Sequence, residues 1–276
     1  MIKYSTRFSP LAILFVLVST KGLLFAQKPA EQLVVSGTVL LNEKKTPDNK
    51  AMLGAIKSTW KLKADSVNFG EKTLVFTASA GTTVMIAYLE YPGAPDDIGA
   101  AARLSWLWND AAQVTSKHQA QVVISVIGPA NRSLDLHKIF TQTAAAVLET
   151  TRAPGIFLDG QYLLLSSGYY TAAARNMVQN QTIPLYCWVY FGRPGDGNGF
   201  TYGLTEFGLP EMEIVNSKST EVEVHSALYD AAMSVVKYGT QLKDGQTLTT
   251  EEGAKSVVHL VKGTYLEEKK VLRLEY

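Results

Sequence analysis

Residues 72–91 read KTLVFTASAGTTVMIAYLEY. Two runs rich in β-branched and aromatic residues flank Ala80-Gly81, a pattern that predicts a β-hairpin. Upstream, QLVVSGTVLL (Gln32–Leu41) predicts a first strand. Between them, Thr46-Pro47 opens a helix that carries Met52, Leu53, Ile56 and Trp60 at the spacing of one buried stripe. Downstream, YPGAPDD (91–97) is a breaker, a second helix follows from Ile98, and QAQVVISVIG (Gln119–Gly128) is another strand. Strand, helix, strand, strand, helix, strand is the ferredoxin-like βαββαβ plan, with helices covering one face of a mainly antiparallel sheet. The expected class is α+β.

The segment Pro129–Ser133 is the candidate boundary between two halves, residues 33–128 and 133–276. Beyond it, Ser133 is the expected N-cap of a helix with Leu136, Ile139, Phe140, Thr143 and Val147 on one side. GIFLDGQYLLLS predicts two short strands about Asp159-Gly160, and Ser167 caps a helix holding Tyr170, Ala173, Ala174 and Met177. A further hairpin pairs LYCWVYFG with FTYGLTEFG across RPGDGNG. Thr220 and Glu223 form a capping box ahead of Val224, Leu228, Ala231, Ala232 and Val235, and Gly239 closes that helix. The second half thus reads as α/β with hairpins, ending in the strands KSVVHLVKG and KKVLRLEY.

The first 26 residues have the layout of a secretory signal peptide. Lys3 and Arg7 precede an apolar run, Leu11–Val18, and Ala26 is the expected cut site. The alternative is an uncleaved anchor, but Pro10 and Lys21 bracket only ten residues, short of the roughly 20 a membrane span needs. No cysteine lies near the cut, which argues against a lipoprotein. Cleavage takes Lys3, Arg7 and Lys21 from the 26 basic residues and no acidic one, leaving 23 against 25, a net charge of −2. That balance, without a basic run, provides no electrostatic footprint for nucleic acid. The expected product is an exported domain over residues 33–276 with no membrane association after cleavage.

Sites for familiar chemistry are sparse. GRPGDGNGFTYG (192–203) joins two strands and lacks the lysine and helix start of a phosphate loop, so it reads as a hairpin tip. Asp196 and Asn198 offer too few oxygens for a calcium loop. Of the four histidines, His118, His137, His225 and His259, none stands three to five residues from another, so no metal site is expected. His137 and His225 fall beside the apolar stripes of their helices, at boundary positions. His259, between valines, reads as a packed histidine bonded to backbone. The single cysteine, Cys187, lies on an expected strand with Val189 and Phe191 and reads as core. No G-x-S-x-G elbow is present, Ser166 and Ser167 sit where a helix is capped, and Asp96-Asp97 and Glu251-Glu252 read as solvated turn pairs. No cofactor is expected.

Half of the four tryptophans fall in LSWLWNDAAQ (104–113). On a strand, Trp106 and Trp108 would share a face as an aromatic platform. Continued as a helix from Ile98 they point about 200° apart, and Leu104, Leu107, Trp108 and Ala111 extend the buried stripe. Asp110 with Gln113 then matches a capping box. The helical phase favours a packing seam followed by a cap.

In order, AARLSWLWNDAA, SKHQAQVVISVIG, GIFLDGQYLL, PLYCWVYFG, YGLTEFGLPEMEI and LKDGQTL resemble the bacterial DUF4261 domain family. Its members carry a small-residue/Ser-Trp-Leu-Trp segment, a His-x-Ala-x strand entry and a Gly-Leu-Pro turn. The resemblance runs from about Leu33 to the C-terminus. It implies no chemistry, because the family has no established activity, and no catalytic residue carries over. It marks Trp106, Trp108 and His118 as candidate ligand-binding positions. Where relatives have a second histidine this chain has Gln121, which weakens any His–His pair. The resemblance also implies a domain that is usually cytoplasmic, to which an export segment has been added.

Two functions follow as expectations. The first is a non-catalytic exported domain that binds another protein or a small ligand, favoured by the lack of a nucleophile motif, metal signature or phosphate loop. The alternative is a hydrolase-type enzyme with a site assembled from distant residues. Asp110 and His118 are one pair to weigh, but on a single helix they stand about 12 Å apart, too far to bond directly.

Overall fold

In the first strand, β1 (Gln32–Leu41), Val35, Val39 and Leu41 point to one face of the sheet while Leu40 points to the other. Both sets are buried, so β1 is central. A computed structural model describes residues 31–79, 81–249, 253 and 255–276, and residues 31–276 form one compact unit. The expected signal peptide, Ala80 of the hairpin link and Glu251-Glu252 lie outside the described residues.

Chain order from β1 is α1 (Asn49–Ser58), β2 (Asp65–Phe69), β3 (Thr73–Ser79), β4 (Thr82–Leu89), α2 (Pro95–Leu104), α3 (Ala111–Thr115) and β5 (Ala120–Pro129). Then come α4 (Ser133–Thr151), β6 (Gly155–Leu158), β7 (Leu163–Ser166), α5 (Ser167–Asn180), β8 (Tyr190–Gly195), β9 (Asn198–Tyr202) and β10 (Met212–Ile214). The chain closes with α6 (Glu221–Tyr238), β11 (Thr247–Thr249), β12 (Lys255–Lys262) and β13 (Lys270–Leu274). The strands make a seven-stranded sheet, β2-β3-β4-β5-β1-β6-β7, and a six-stranded sheet, β11-β12-β13-β10-β9-β8. Among the described residues every pairing is antiparallel except β10 with β13. The α+β class with mainly antiparallel sheets is therefore what the chain adopts.

The ferredoxin-like order needs correction. A split βαβ plan inserts a strand between β4 and β5, whereas here the two are direct antiparallel neighbours, Val84 opposite Val126 and Ile86 opposite Ile124. An extra strand, β2, also precedes the hairpin; only Val67 in it is even half-buried, so it has no alternating apolar signature. Helices cover both faces. α1 and α4 pack on the main core, whereas α2 and α3 bury Ile98, Ala101, Ala102 and Ala111 against Leu40, Phe157 and Leu164 on the opposite face.

Helix α4 holds the two sheets together. Four consecutive residues, Ala144 to Val147, are fully buried, so one whole turn is enclosed, as expected for a helix at the centre of a protein. It packs on β5 and β1 of the first sheet, and β6 and β7, which follow it, join that sheet. Residues on either side of Pro129–Ser133 thus share one sheet. Several local expectations shift by a residue: Arg132 occupies the N-cap of α4, and Ser166 caps α5 by accepting from the Tyr169 amide. The Thr220–Glu223 capping box forms as expected.

A buried carboxylate organises the second sheet. Glu211, 1% exposed, accepts from Thr201 Oγ1 at 2.9 Å, Gly203 N at 2.8 Å, Leu204 N at 3.2 Å, and both the amide and hydroxyl of Thr205. Gly203 sits at φ +128°, and a Cβ there would come within 2.7 Å of the Trp188 carbonyl. Two residues on, Glu213 accepts from Arg273 Nε at 3.0 Å and from Thr264 N at 2.9 Å. Glu211→Ala strands several buried donors and is expected to lower the unfolding free energy by about 3 kcal/mol. Urea denaturation reads the loss; a loss below about 1 kcal/mol would show that water replaces the carboxylate.

Candidate functional site

The tryptophan segment departs from helical phase. α2 ends at Leu104 because Ser105 turns its hydroxyl to the carbonyl of Leu164, 2.7 Å away on edge strand β7. Trp108 then drops onto the sheet and is buried with Leu40 and Phe157. A Cβ on Gly155 would lie 2.5 Å from the Trp108 ring, so this packing requires glycine there. Asp110 stands at the N-cap of α3 but makes no side-chain cap bond, so the expected capping box does not form. His118, half-buried, has Nδ1 2.6 Å from the Thr115 carbonyl, while its buried Nε2 has no partner. No ring contact or hydrogen bond joins Trp106, Trp108 and His118 among the described residues.

Trp106 goes elsewhere. It meets Tyr186 and His225 edge-on, at ring-centroid distances of 5.5 and 5.4 Å, and the Arg193 guanidinium lies 4.2 Å over its ring. The dent beside it, bordered by Tyr162 and Tyr190, holds about 10 Å³, space for one water at most. Tyr186 in turn stacks on Tyr229 at 4.7 Å and lies parallel to His225, and its hydroxyl is 2.8 Å from His225 Nε2. Burial, and then the Arg193 charge, push the His225 pKa down to about 4, so its imidazole is neutral near pH 7. Burial pushes the Tyr186 phenol up to about 12.

Tyr186 and Tyr229 of this cluster line a cleft of about 670 Å³ between α4, α5 and α6, with Trp106 and His225 behind them. Helix α6 supplies Tyr229, Met233 and Lys237, and α4 supplies Leu134 and Lys138. Tyr169, Ala173 and Asn176 come from α5, and residues 181–187 close the floor. The spacing explains the wall: Tyr229, Met233 and Lys237 recur every four residues, so they line one side of α6 beside its core stripe, with His225 one turn before them. That second stripe was the signal for these residues in the sequence. Lys138 and Asn176 carry no comparable signal.

Cys187 and the histidines His137 and His259 sit in structural surroundings. Cys187 lies in a 3-10 turn (Leu185–Cys187) rather than on the expected strand, and burial pushes its thiol far above the ordinary range, leaving it protonated. It is core, as expected. His137 is not a boundary residue. It is buried, stacked on Phe207 at 4.1 Å, with Nδ1 2.8 Å from the Ser133 carbonyl and Nε2 unpartnered. His259 is not packed in the core either: it is half-buried, with Nε2 3.1 Å from Glu275 and Nδ1 3.7 Å from Asp244. The glycine cluster is a hairpin tip, with Asp196 and Gly197 at positive φ between paired Gly195 and Asn198. No group of three or more His, Cys, Asp or Glu residues is placed to hold a metal among the described residues. The arrangement supports binding through aromatic stacking and apolar contact.

Burial lowers the His137 pKa to about 4, the Ser133 carbonyl opposing it. In the unfolded chain a histidine titrates near 6.5, so between these values the unfolded state holds more protons. The stabilisation is therefore complete above about pH 6.5 and is lost as pH falls toward 4. From about pH 7.5 to 5 the loss from His137 is about 2 kcal/mol. Urea unfolding of His137→Leu should show a correspondingly flatter pH dependence; an unchanged slope would contradict the burial argument.

Residues 200–275 match the family model DUF4261, a domain of unknown function. The matched stretch runs from β9 to β13 and includes Glu211, Glu213 and the whole of α6, but not Trp106, Trp108 or His118. No curated protein and no solved structure matches the chain. Over that C-terminal part, the chain is similar to a family whose description states no activity.

Proposed function

We propose that the protein is an exported, non-catalytic binding domain whose ligand occupies the cleft between α4, α5 and α6. The carrying observation is the cleft itself: about 670 Å³ lies within the range of small-molecule sites, and stacked Tyr186 and Tyr229 wall it. Its size favours a small ligand over a protein surface. Trp106 supports the wall from behind, and Trp108 serves packing. Export rests on the Lys3, Arg7, Leu11–Val18 and Ala26 pattern. No helix among the described residues is long and apolar enough to cross a membrane.

Filling the cleft tests the binding reading. Nile red, a neutral fluorophore, should bind the folded protein and lose at least about tenfold in affinity in Ala173→Trp, a change of about 1.4 kcal/mol. Asn176→Trp, on the exposed rim, is the second variant should Ala173→Trp unfold. Unchanged binding in a folded variant would move the site elsewhere. Expression with the native N-terminus should yield an exported species beginning at Gln27. Full-length protein retained in the cytoplasm would sink the export reading.

A further inference from the structure

One face of the seven-stranded sheet is unlike an ordinary solvated surface. In β3, β4, β5 and β1 alternate residues build the core beneath α1 and α4, and the residues between them face the other side. On that side α2 and α3 cover Leu40, Phe157 and Leu164, toward the β6–β7 edge. Three positions on each of the four strands stay at least partly exposed: 34, 36 and 38 on β1, 123, 125 and 127 on β5, 83, 85 and 87 on β4, and 73, 75 and 77 on β3. None of these twelve residues is charged. A solvated surface carries charge at roughly a quarter to a third of its positions, so about three or four would be expected. Instead the strands set threonine, serine and alanine around an apolar group, with Ile127 opposite Val34 and Met85 opposite Val75. Val34 and Met85 are 44% and 43% exposed, and Val75, Val123 and Ile127 join neither apolar core among the described residues. Charge returns at the rim, where β2 sets Asp65 beside Thr77 and Lys63 pairs with it at 2.7 Å.

We propose that a second copy of the chain docks on this face, sheet on sheet about a twofold axis. A face without charge gives a charged partner nothing to complement, whereas a second copy brings the same neutral surface and no like-charge repulsion. The area sets the strength. Four strands spaced about 4.8 Å apart and about 20 Å long give roughly 400 Å² of flat face per copy, or roughly 800 Å² in the pair. A lasting interface buries about 1,200–2,000 Å² of accessible surface, so this face holds a dimer that dissociates in the micromolar range. Met85 is central, on an inner strand of the four and in the middle row, and its flexible side chain adapts to an apolar partner. The face lies on the side of the sheet away from α4, so the pairing is independent of what the cleft binds.

Sedimentation velocity on the chain from Gln27 to Tyr276 tests this. Between about 1 and 200 µM the wild type should pass from monomer to dimer, with a dissociation constant on the order of tens of micromolar. Met85→Lys sets a charge against its own symmetry mate and should weaken the dimer at least about tenfold, and so should Met85→Glu. Mixed in equal amounts, the two variants should recover the dimer, because opposite charges then meet across the axis. A wild type that stays monomeric at the highest concentration overturns the proposal and leaves the face to the N-terminal segment or to a different protein. Variants that dimerise as well as the wild type overturn it too, and so does a mixture that stays monomeric. Thermal unfolding checks that each variant is folded. Ser125→Lys and Ser125→Glu, on the neighbouring strand in the same row, replace the pair if a Met85 variant fails that check.

Discussion

The carboxylate of Glu211 is the interaction on which the assembly of the two sheets depends. Its oxygens collect donors from Thr201 on β9 and from the turn Gly203–Thr205, and its own carbonyl accepts from Leu272 on β13 at 2.8 Å. An ionised acceptor buried among several aligned donors makes stronger bonds than a neutral one, and the low local dielectric strengthens them further. The turn so held carries Phe207, which stacks on His137 of α4. Trp188, beside the same pair, donates from Nε1 to Thr141 on α4 at 2.8 Å. One charge therefore positions the loop that docks the second sheet on the central helix.

The cleft is a consequence of that docking. α4 gives its enclosed face to the sheets and its Leu134–Lys138 edge to the cleft, where α5 and α6 meet it. Since α6 is docked over its length by Val224, Leu228 and Val235, its second stripe is held in a fixed direction. The Tyr186–His225 contact then joins the loop after α5 to α6. Rigid elements therefore carry most of the aromatic wall, which limits the conformational entropy a ligand must remove on binding.

Much of the fold was legible. Strands β1, β3, β4 and β5 follow from β-branched runs, and α6 follows from a capping box whose partners lie three residues apart. The Asp159-Gly160 turn lies where its dipeptide points. The site was less legible. Trp106 and Trp108 drew attention by composition, yet Ser105 stops the helix by bonding to Leu164, 59 residues away in sequence. His137 and His259 exchanged environments for a similar reason: Val257 and Val261, which share the face of His259 on β12, are only half-buried, whereas Phe207 and Trp188 arrive from distant loops to enclose His137. Glu211 and Glu213 gave no sign of burial, because carboxylates are mostly exposed unless paired and their partners lie in other segments.

By itself, the sequence determined the local elements, the near-neutral charge and an α+β class, since each depends on interactions within a few residues of the chain. Only the tertiary structure decided the strand order, the two-sided covering of the first sheet and the place of the cleft. These depend on which strands and helices pair across long separations, where the burial of Trp108 on Gly155 and of Glu211 among its donors outweighs local preference. The lysines and tyrosines of the cleft come from three helices and a loop, and only the packing around α4 brings them to one surface.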